Sequence, residues 1–451
     1  MNSQSPWVNG RERSTGWLST AQAVASQERR PFVYGALVAF SWLYYYRPED
    51  FIPGLAYIPM ARITGVLGFL TLIVGMMGGT KVKIPRAIKI LWLLLLQMSI
   101  CVPLALWPGG AFTAVFEKFS KGVVVAMLIS MAVVTVRELR KLLWIQVSAV
   151  ALVTFFSIIL NHTRNGRLEG IQKSILENPN DLAINIAISF PLGMAFMLRA
   201  RGLKKAVWLA GLAFMGLGVV LTYSRSGLLA LIISIIVCVW EYGIKGKRRH
   251  IVVSAILILV LGMGVALSSS RYRTRVESIV LGNIEGSGDK GSLDARKQLL
   301  KKSVMVALTH PLFGVGPGCF ILVDRGWVVA HNTYTELAAE SGIAALVLFL
   351  MAMQGAFKNI AKVRKSHQYR EDPEFKLFTQ ALWAGLAAYL TGACFASTEY
   401  NLYPYFMVAY TCAMVRIISQ AIPDSGQGGE DRNLSKVNYD RIARPQPILG
   451  R

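Results

Sequence analysis

The chain has 451 residues, 54% of them hydrophobic, with a mean hydropathy of +0.46 and a formal net charge of +23. Its apolar residues gather in runs of about 17 to 24, each long enough to cross a ~30 Å hydrocarbon core as a helix, which excludes a soluble globular enzyme. The excess of Lys and Arg needs no nucleic-acid partner, because cytoplasmic loops of membrane proteins collect these residues.

Residues 1–30 are polar, with Arg11, Arg13, Arg29 and Arg30 and no apolar segment of signal-peptide type. They are expected to form a cytoplasmic tail, with the first helix as an uncleaved insertion signal. Apolar runs predict about twelve transmembrane helices, roughly over 31–46, 57–77, 88–107, 119–136, 141–160, 181–199, 205–222, 227–243, 251–268, 331–355, 377–396 and 401–420. With a cytoplasmic N-terminus, the even-numbered short loops hold most of the basic residues, such as Lys81, Lys83 and Arg86, then Arg137, Arg140 and Lys141, then Arg199 to Lys205 and Lys245 to Arg249. The odd-numbered short loops hold only Arg47, then Lys118 and Lys121, then Arg225. This alternation predicts that both termini are cytoplasmic. Residues 31–420 are expected to be one all-α integral membrane domain, and 421–451 a disordered cytoplasmic tail.

Two outer segments depart from the charge pattern. The 161–180 loop carries Arg164, Arg167 and Lys173, and the large 269–330 loop carries Arg271, Arg273, Arg275, Lys290, Arg296, Lys297, Lys301, Lys302 and Arg325. Long loops cross regardless of charge. Their basic residues either attract lipid headgroups or form a basin for an anionic substrate. Within the large loop, Gly282 to Gly291 is expected to be mobile. Residues 293–309 have a helical period, with Leu293, Arg296, Leu299, Leu300, Val304 and Leu308 near one face and Lys297, Lys301 and Lys302 off it. This predicts an amphipathic helix at the outer interface, with Arg296 turned toward the membrane domain. Pro311 ends it, and Gly314, Gly316 and Gly318 make a tight connector; no GK[ST] follows, so GVGPG is not a P-loop.

No nucleotide-binding signature, metal-ligand spacing or serine nucleophile elbow is present, so neither a metal nor a cofactor is expected. The five cysteines show no CxxC; four lie in apolar stretches and are expected to pack, and Cys319 has no disulfide partner in its loop. His331 is the first candidate for chemistry. It stands where the large loop meets an apolar helix, whose positive end disfavours the imidazolium, as nearby arginines also do. A neutral ring there suits a general base; the alternative is a structural hydrogen-bonding role. Asn332 is placed to cap the helix or orient the ring. Arg225, in LTYSRSG, lies close to the hydrocarbon, and Arg296 is the third candidate; Arg binds phosphate with a fork of donors that Lys lacks. Arg271, Arg273 and Arg275 are placed to touch either substrate or lipid phosphates. Glu340 is expected to face the bundle interior and pair with an Arg, Glu336 lies one turn before it, and Glu399 is expected to line the same cavity. Asn180 and Asp181 open a helix and are read as capping residues. Together these positions describe an outer-face cavity for an anionic, membrane-borne substrate such as a polyprenyl diphosphate.

The run LTYSRSG, the Arg296 helix leading into HPLFGVGPGCF, the segment HNTYTELAAESG and the earlier NPNDLA resemble the O-antigen ligase and polymerase superfamily, most strongly over about 175–355. The N-terminal RPFVYGALVAFSWLYYYRPEDF resembles members associated with exosortase-linked exopolysaccharide systems. The resemblance implies a multi-pass glycosyltransferase of GT-C type in the bacterial inner membrane, acting at the periplasmic face without metal or cofactor. Its donor would be an undecaprenyl-diphosphate-linked glycan, its acceptor a lipid, a growing glycan or a protein hydroxyl, and its product inverted at the anomeric centre. It further implies that His331 is the base and that Arg225 and Arg296 contact the diphosphate. Ligases and polymerases share these motifs, so the acceptor stays open. Two other classes also stay open: a transporter of an anionic solute, which should have broken helices or repeats that the sequence does not show, and a non-catalytic scaffold of a polysaccharide export complex.

Overall fold

Apolar runs with little internal charge can satisfy their backbone groups in lipid only by bonding within themselves, so they form helices. The computed structural model describes residues 31–46, 60–77, 84–164, 166–170, 178–249, 288–323 and 328–420. Nearly all of these belong to one unit, Glu28–Ile418. Its helices are α1 (Pro31–Tyr46), α2 (Met60–Met77), α3 (Arg86–Cys101), α4 (Pro108–Phe112), α5 (Ser120–Ala132), α6 (Val136–Ile159), α7 (Pro179–Arg199), α8 (Leu203–Leu221), α9 (Arg225–Cys238), α10 (Gly288–Thr309), α11 (Phe320–Val323), α12 (Thr333–Arg364), α13 (His367–Glu371), α14 (Pro373–Ala393) and α15 (Tyr403–Gln420). A hairpin of β1 (Thr163–Arg164) and β2 (Arg167–Leu168) stands between α6 and α7.

Six segments among the described residues are long and apolar enough to cross a membrane: Arg86–Leu104, Val136–Ile159, Pro179–Arg199, Leu203–Leu221, Arg225–Ile244 and Thr333–Arg364. Helices also occupy the other expected spans except 251–268, which lies outside the described residues. Among them α1, with 16 residues, falls short of the ~20 that a perpendicular crossing needs, whereas α5 continues α4 through the π-helical turns Thr113–Phe119 as one unbroken helix over 108–132. The fourth expected span stops at Ala132, because Val133 is extended and the next helix is capped afresh by Thr135 and Glu138, each side chain accepting from the other's backbone.

The centre of the bundle is α7, which packs against α6, α8, α9 and α14. Small residues permit that density. A Cβ on Gly227 of α9 would lie 2.1 Å from the Ala183 Cβ of α7, and one on Gly385 of α14 would lie 2.9 Å from the Ile188 carbonyl oxygen. The Gly227 contact draws the N-terminal ends of α7 and α9 together. At the opposite end, buried Glu241 holds Arg364 at 3.1 Å and Lys245 at 3.2 Å, and Glu374 pairs with Arg140 and Arg199.

α12 is broken, contrary to the expectation of unbroken helices. Gly342 has φ 83° and ψ 166°, and the connector after α10 fills the gap. Val315 and Gly316 donate their N–H groups to the Ala339 and Glu340 carbonyls at 2.9 Å, Gln97 Nε2 donates to Ser341 O at 3.1 Å, and Ile343 N–H reaches Pro311 O at 2.8 Å. Gly314, at φ 65°, touches the Glu340 carbonyl so closely that a Cβ would lie 2.3 Å away.

α10 differs from expectation in two respects. It begins at Gly288, so part of the stretch expected to be mobile is helical; once a helix is nucleated, each added residue gains a hydrogen bond. Its buried residues are Leu299, Ser303, Val306 and Ala307, whereas Leu300, Val304 and Leu308 are exposed, Leu308 by 68%. A strict four-residue repeat drifts around a helix of 3.6 residues per turn, so the expected apolar face divides into a stripe packed against the protein and a second, uncovered stripe. The nine-residue basic set of the large loop is only partly visible: Arg271, Arg273 and Arg275 lie outside the described residues, as do both tails.

Candidate functional site

His331 sits just before α12. Asn332 caps that helix, its side-chain oxygen accepting from the N–H groups of Tyr334 at 3.0 Å and Thr335 at 3.1 Å, while its amide donates to Cys394 O at 3.0 Å. His331 itself has φ 55°, a left-handed conformation that a non-glycine residue keeps only when its surroundings impose it. The imposition is visible. His331 N–H donates to Ser397 Oγ at 3.1 Å, the Ser397 hydroxyl donates to the Glu336 carboxylate, and Glu336 also accepts from Ala330 N–H at 3.1 Å. Thr333 then bonds Ala396 O through both its N–H and its hydroxyl. Ser397 and Glu336 thus hold the histidine through its backbone, and Ala396 holds Thr333 beyond it.

Burial first, and then the charges of Arg296 and Arg167, together lower the His331 pKa to about 4. The positive end of α12 acts in the same direction. A reaction that needs the neutral ring should therefore hold its rate from neutrality down to about pH 5 and lose it through pH 4. A pH–rate profile with its acid limb near 6.5, the ordinary value for histidine, would show that the arginines and burial do not set this ring.

Arg296 and Arg167, whose charges act on His331, come from different elements, and Arg225 opens a third. Arg296 lies about two turns from Ser303 on α10, and the Ser303 hydroxyl donates to Thr335 Oγ1 at 2.8 Å, tying α10 to the first turn of α12. Arg225 is the first residue of α9, whose cap is Ser224 with Gly227 N–H at 3.2 Å. The Ser224 hydroxyl donates to Asn180 Oδ1 at 2.8 Å, joining the N-terminal ends of α9 and α7. Arg167 comes from β2, held down by buried Leu168 next to it. Its Nε donates to Thr222 O at 2.9 Å and its Nη2 to Asn180 Oδ1 at 2.9 Å. All three guanidinium residues are half-buried.

Asn180 is not the helix cap expected from its position. Asn178 is, accepting from Asn180 N–H at 2.9 Å, which leaves the Asn180 side chain for Arg167 and Ser224. Pro179 carries the signal: proline favours the first helical position, so the residue before it is the cap.

Residues 210–350 match the family model for O-antigen ligase. The chain carries an O-antigen ligase domain. That segment includes Arg225, Arg296 and His331, while the Arg167 hairpin and Asn180 precede it. The six helices of membrane-crossing length among the described residues support a multi-pass membrane protein, and the matched segment supports O-antigen ligase- or polymerase-like glycan transfer in general. No curated protein gave a match to the chain.

Three acidic and thiol expectations change. Glu340, inside the ligase domain, faces the interior but takes no arginine: its carboxylate accepts from Gly318 N–H at 2.8 Å, Phe320 N–H at 3.0 Å and the Tyr400 hydroxyl at 2.5 Å. Backbone amides freed by the glycine-rich connector need an acceptor, and Glu340 supplies it. Glu399, beyond the domain, is only 2% exposed, so it does not line an open cavity; burial, with Glu336 and Glu340 nearby, pushes its carboxyl well above the usual carboxylate range. All five cysteines are free, and Cys394, expected to be packed, is exposed. Asp181 accepts from Asn401 Nδ2 at 3.1 Å, linking α7 to the turn before α15.

Proposed function

We propose that the protein is an inverting, metal-independent glycosyltransferase that moves a glycan from a polyprenyl diphosphate to an acceptor hydroxyl at the periplasmic face of the inner membrane. The observation that carries this is a histidine kept neutral by burial and by Arg296 and Arg167, at the N-terminal end of α12, with Arg167 bonded to the Asn180 side chain that joins the N-terminal ends of α7 and α9. Helix N-termini and guanidinium groups together suit an anionic group of high charge. In the reaction, the acceptor hydroxyl oxygen bonds to the anomeric carbon as its proton passes to the neutral His331 ring. The bond from that carbon to the diphosphate oxygen breaks, and its electron pair leaves with the diphosphate. Arg225 and Arg296 hold the charge that develops there. One displacement at one carbon inverts it. His331 then returns its proton to water. Asn332 and Glu340 support the histidine and its loop, and Arg271, Arg273 and Arg275 belong to the basic rim of the same face.

The same reading takes 31–420 as the membrane domain, a GT-C-type architecture of about twelve helices, with 269–330 as the periplasmic loop and both tails cytoplasmic. The acceptor is a lipid, a glycan or a protein hydroxyl. The break in α12 favours a second reading, a transporter for an anionic solute, since such proteins coordinate solutes with unwound backbone. Against it, the Ala339, Glu340 and Ser341 carbonyls at the break already accept hydrogen bonds from within the chain.

Proteoliposomes loaded with a polyprenyl-diphosphate glycan and candidate acceptors test the proposal. Release of polyprenyl diphosphate that needs an acceptor and survives a chelator is the expected result. Release abolished by chelator would remove metal independence, solute flux without release would favour the transporter, and neither activity would favour a scaffold.

A further inference from the structure

Arg167 is the charge at this site that lies outside the matched segment, and its contacts are unusual for a surface hairpin. It closes two gaps at once. Thr222 O is a carbonyl at the C-terminal, negative end of α8, and Arg167 Nε–H satisfies it at 2.9 Å. Asn180 Oδ1, at the other branch of the guanidinium, also receives the Ser224 hydroxyl, and Ser224 is the cap of the helix that begins with Arg225. Between them, Tyr223 is left-handed at φ 49°. The turn 222–225 is therefore strained, and one guanidinium holds it on both sides.

We propose that Arg167 is a positioning residue that fixes the turn bearing Arg225 and, from the same place, supplies positive charge to His331, so that diphosphate grip and base are set together. This rests on the transfer reaction proposed above. Lysine cannot replace it, because a single ammonium cannot span the two acceptors as a planar fork does. Among the described residues the charged groups around His331 are Arg296 from α10 and Arg167 from β2, with Glu336 joined through Ser397 and Glu399, in the connection after α14, near Glu336. Glu336 already accepts from Ala330 N–H and Ser397, so the two arginines dominate the ring's field.

The test compares wild type, Arg167→Lys, Arg167→Ala and Asn180→Ala, each purified full-length and first checked for an unchanged unfolding temperature. Two readouts need no turnover: the titration of the His331 ring by nitrogen NMR, assigned against a His331→Asn spectrum, and the affinity for inorganic pyrophosphate. Arg167→Lys should keep the wild-type His331 titration yet bind pyrophosphate at least tenfold more weakly. Arg167→Ala should bind as weakly and also move the His331 titration upward. Asn180→Ala, which keeps every charge, should behave like Arg167→Lys. A His331 titration unmoved by Arg167→Ala, or pyrophosphate bound by both Arg167→Lys and Asn180→Ala as tightly as by wild type, overturns the inference. Absence of transfer in the wild type, with both binding results as expected, would instead sink the reaction and leave the positioning role standing.

Discussion

His331→Ala is expected to lower the rate of polyprenyl-diphosphate release by about 10²–10⁴-fold, the usual contribution of a positioned general base. The fold should survive, because the residue is anchored through its backbone N–H to Ser397 and the cap through Asn332, neither of which the substitution removes. The left-handed conformation at φ 55° costs any residue with a Cβ roughly 1–2 kcal/mol, histidine included, and alanine tolerates it somewhat less well than histidine does. His331→Asn separates the two effects. Asparagine tolerates that conformation, so it should unfold like wild type while losing the same activity. Steady-state release and thermal unfolding of both variants decide the matter. Either variant retaining more than a tenth of wild-type turnover would mean that His331 is a structural hydrogen-bonding residue and that the proton goes elsewhere.

The sequence makes local features of this protein legible and hides those that depend on distant partners. Apolar run length predicts where the helices lie, because a buried backbone in lipid has few alternatives. His331, Arg225 and Arg296 stand out because charge next to hydrocarbon is costly and must be explained. Arg167 does not stand out: its significance comes from Thr222 and Asn180, which are 55 and 13 residues away. Asn180 has an adequate local explanation as a capping residue, and that hides the non-local one. Glu340 is expected to seek an arginine because a buried carboxylate needs a positive partner, yet two backbone N–H groups and Tyr400 serve as well. On α10 the apolar residues are correctly placed on a helix, but which stripe is covered depends on where α12 lies.

The break in α12 is hidden for the same reason, and it carries the largest effect expected on stability. A single glycine in an apolar helical pattern is ordinarily tolerated, costing about 1 kcal/mol relative to alanine. At Gly342 the sign reverses. Its φ of 83° with ψ of 166° belongs to a region that only glycine adopts readily. A Cβ there would also stand 2.2 Å from Leu312 O and 2.9 Å from Pro311 O, both backbone atoms that cannot swing aside. Gly342→Ala must therefore either expel the connector from the break or straighten α12, and both lose the bonds from Val315, Gly316 and Ile343 across the gap. A loss of at least ~3 kcal/mol is expected, from backbone strain together with several stranded polar groups. Gly35→Ala in α1 is the control: a Cβ there has nothing within 4 Å, so alanine should be neutral or stabilise by about 0.5–1 kcal/mol. The connector also runs between the helix bearing Arg296 and the loop bearing His331, so expelling it should separate the cation from the base. Thermal unfolding in detergent, limited proteolysis across 310–320 and the release assay report on each step. If Gly342→Ala unfolds at the same temperature as Gly35→Ala and keeps its activity, the connector does not hold α12 open, and the spacing of Arg296 from His331 must be fixed by the Ser303–Thr335 bond and the packing of Leu299, Val306 and Ala307 against Ala338 and Ala339.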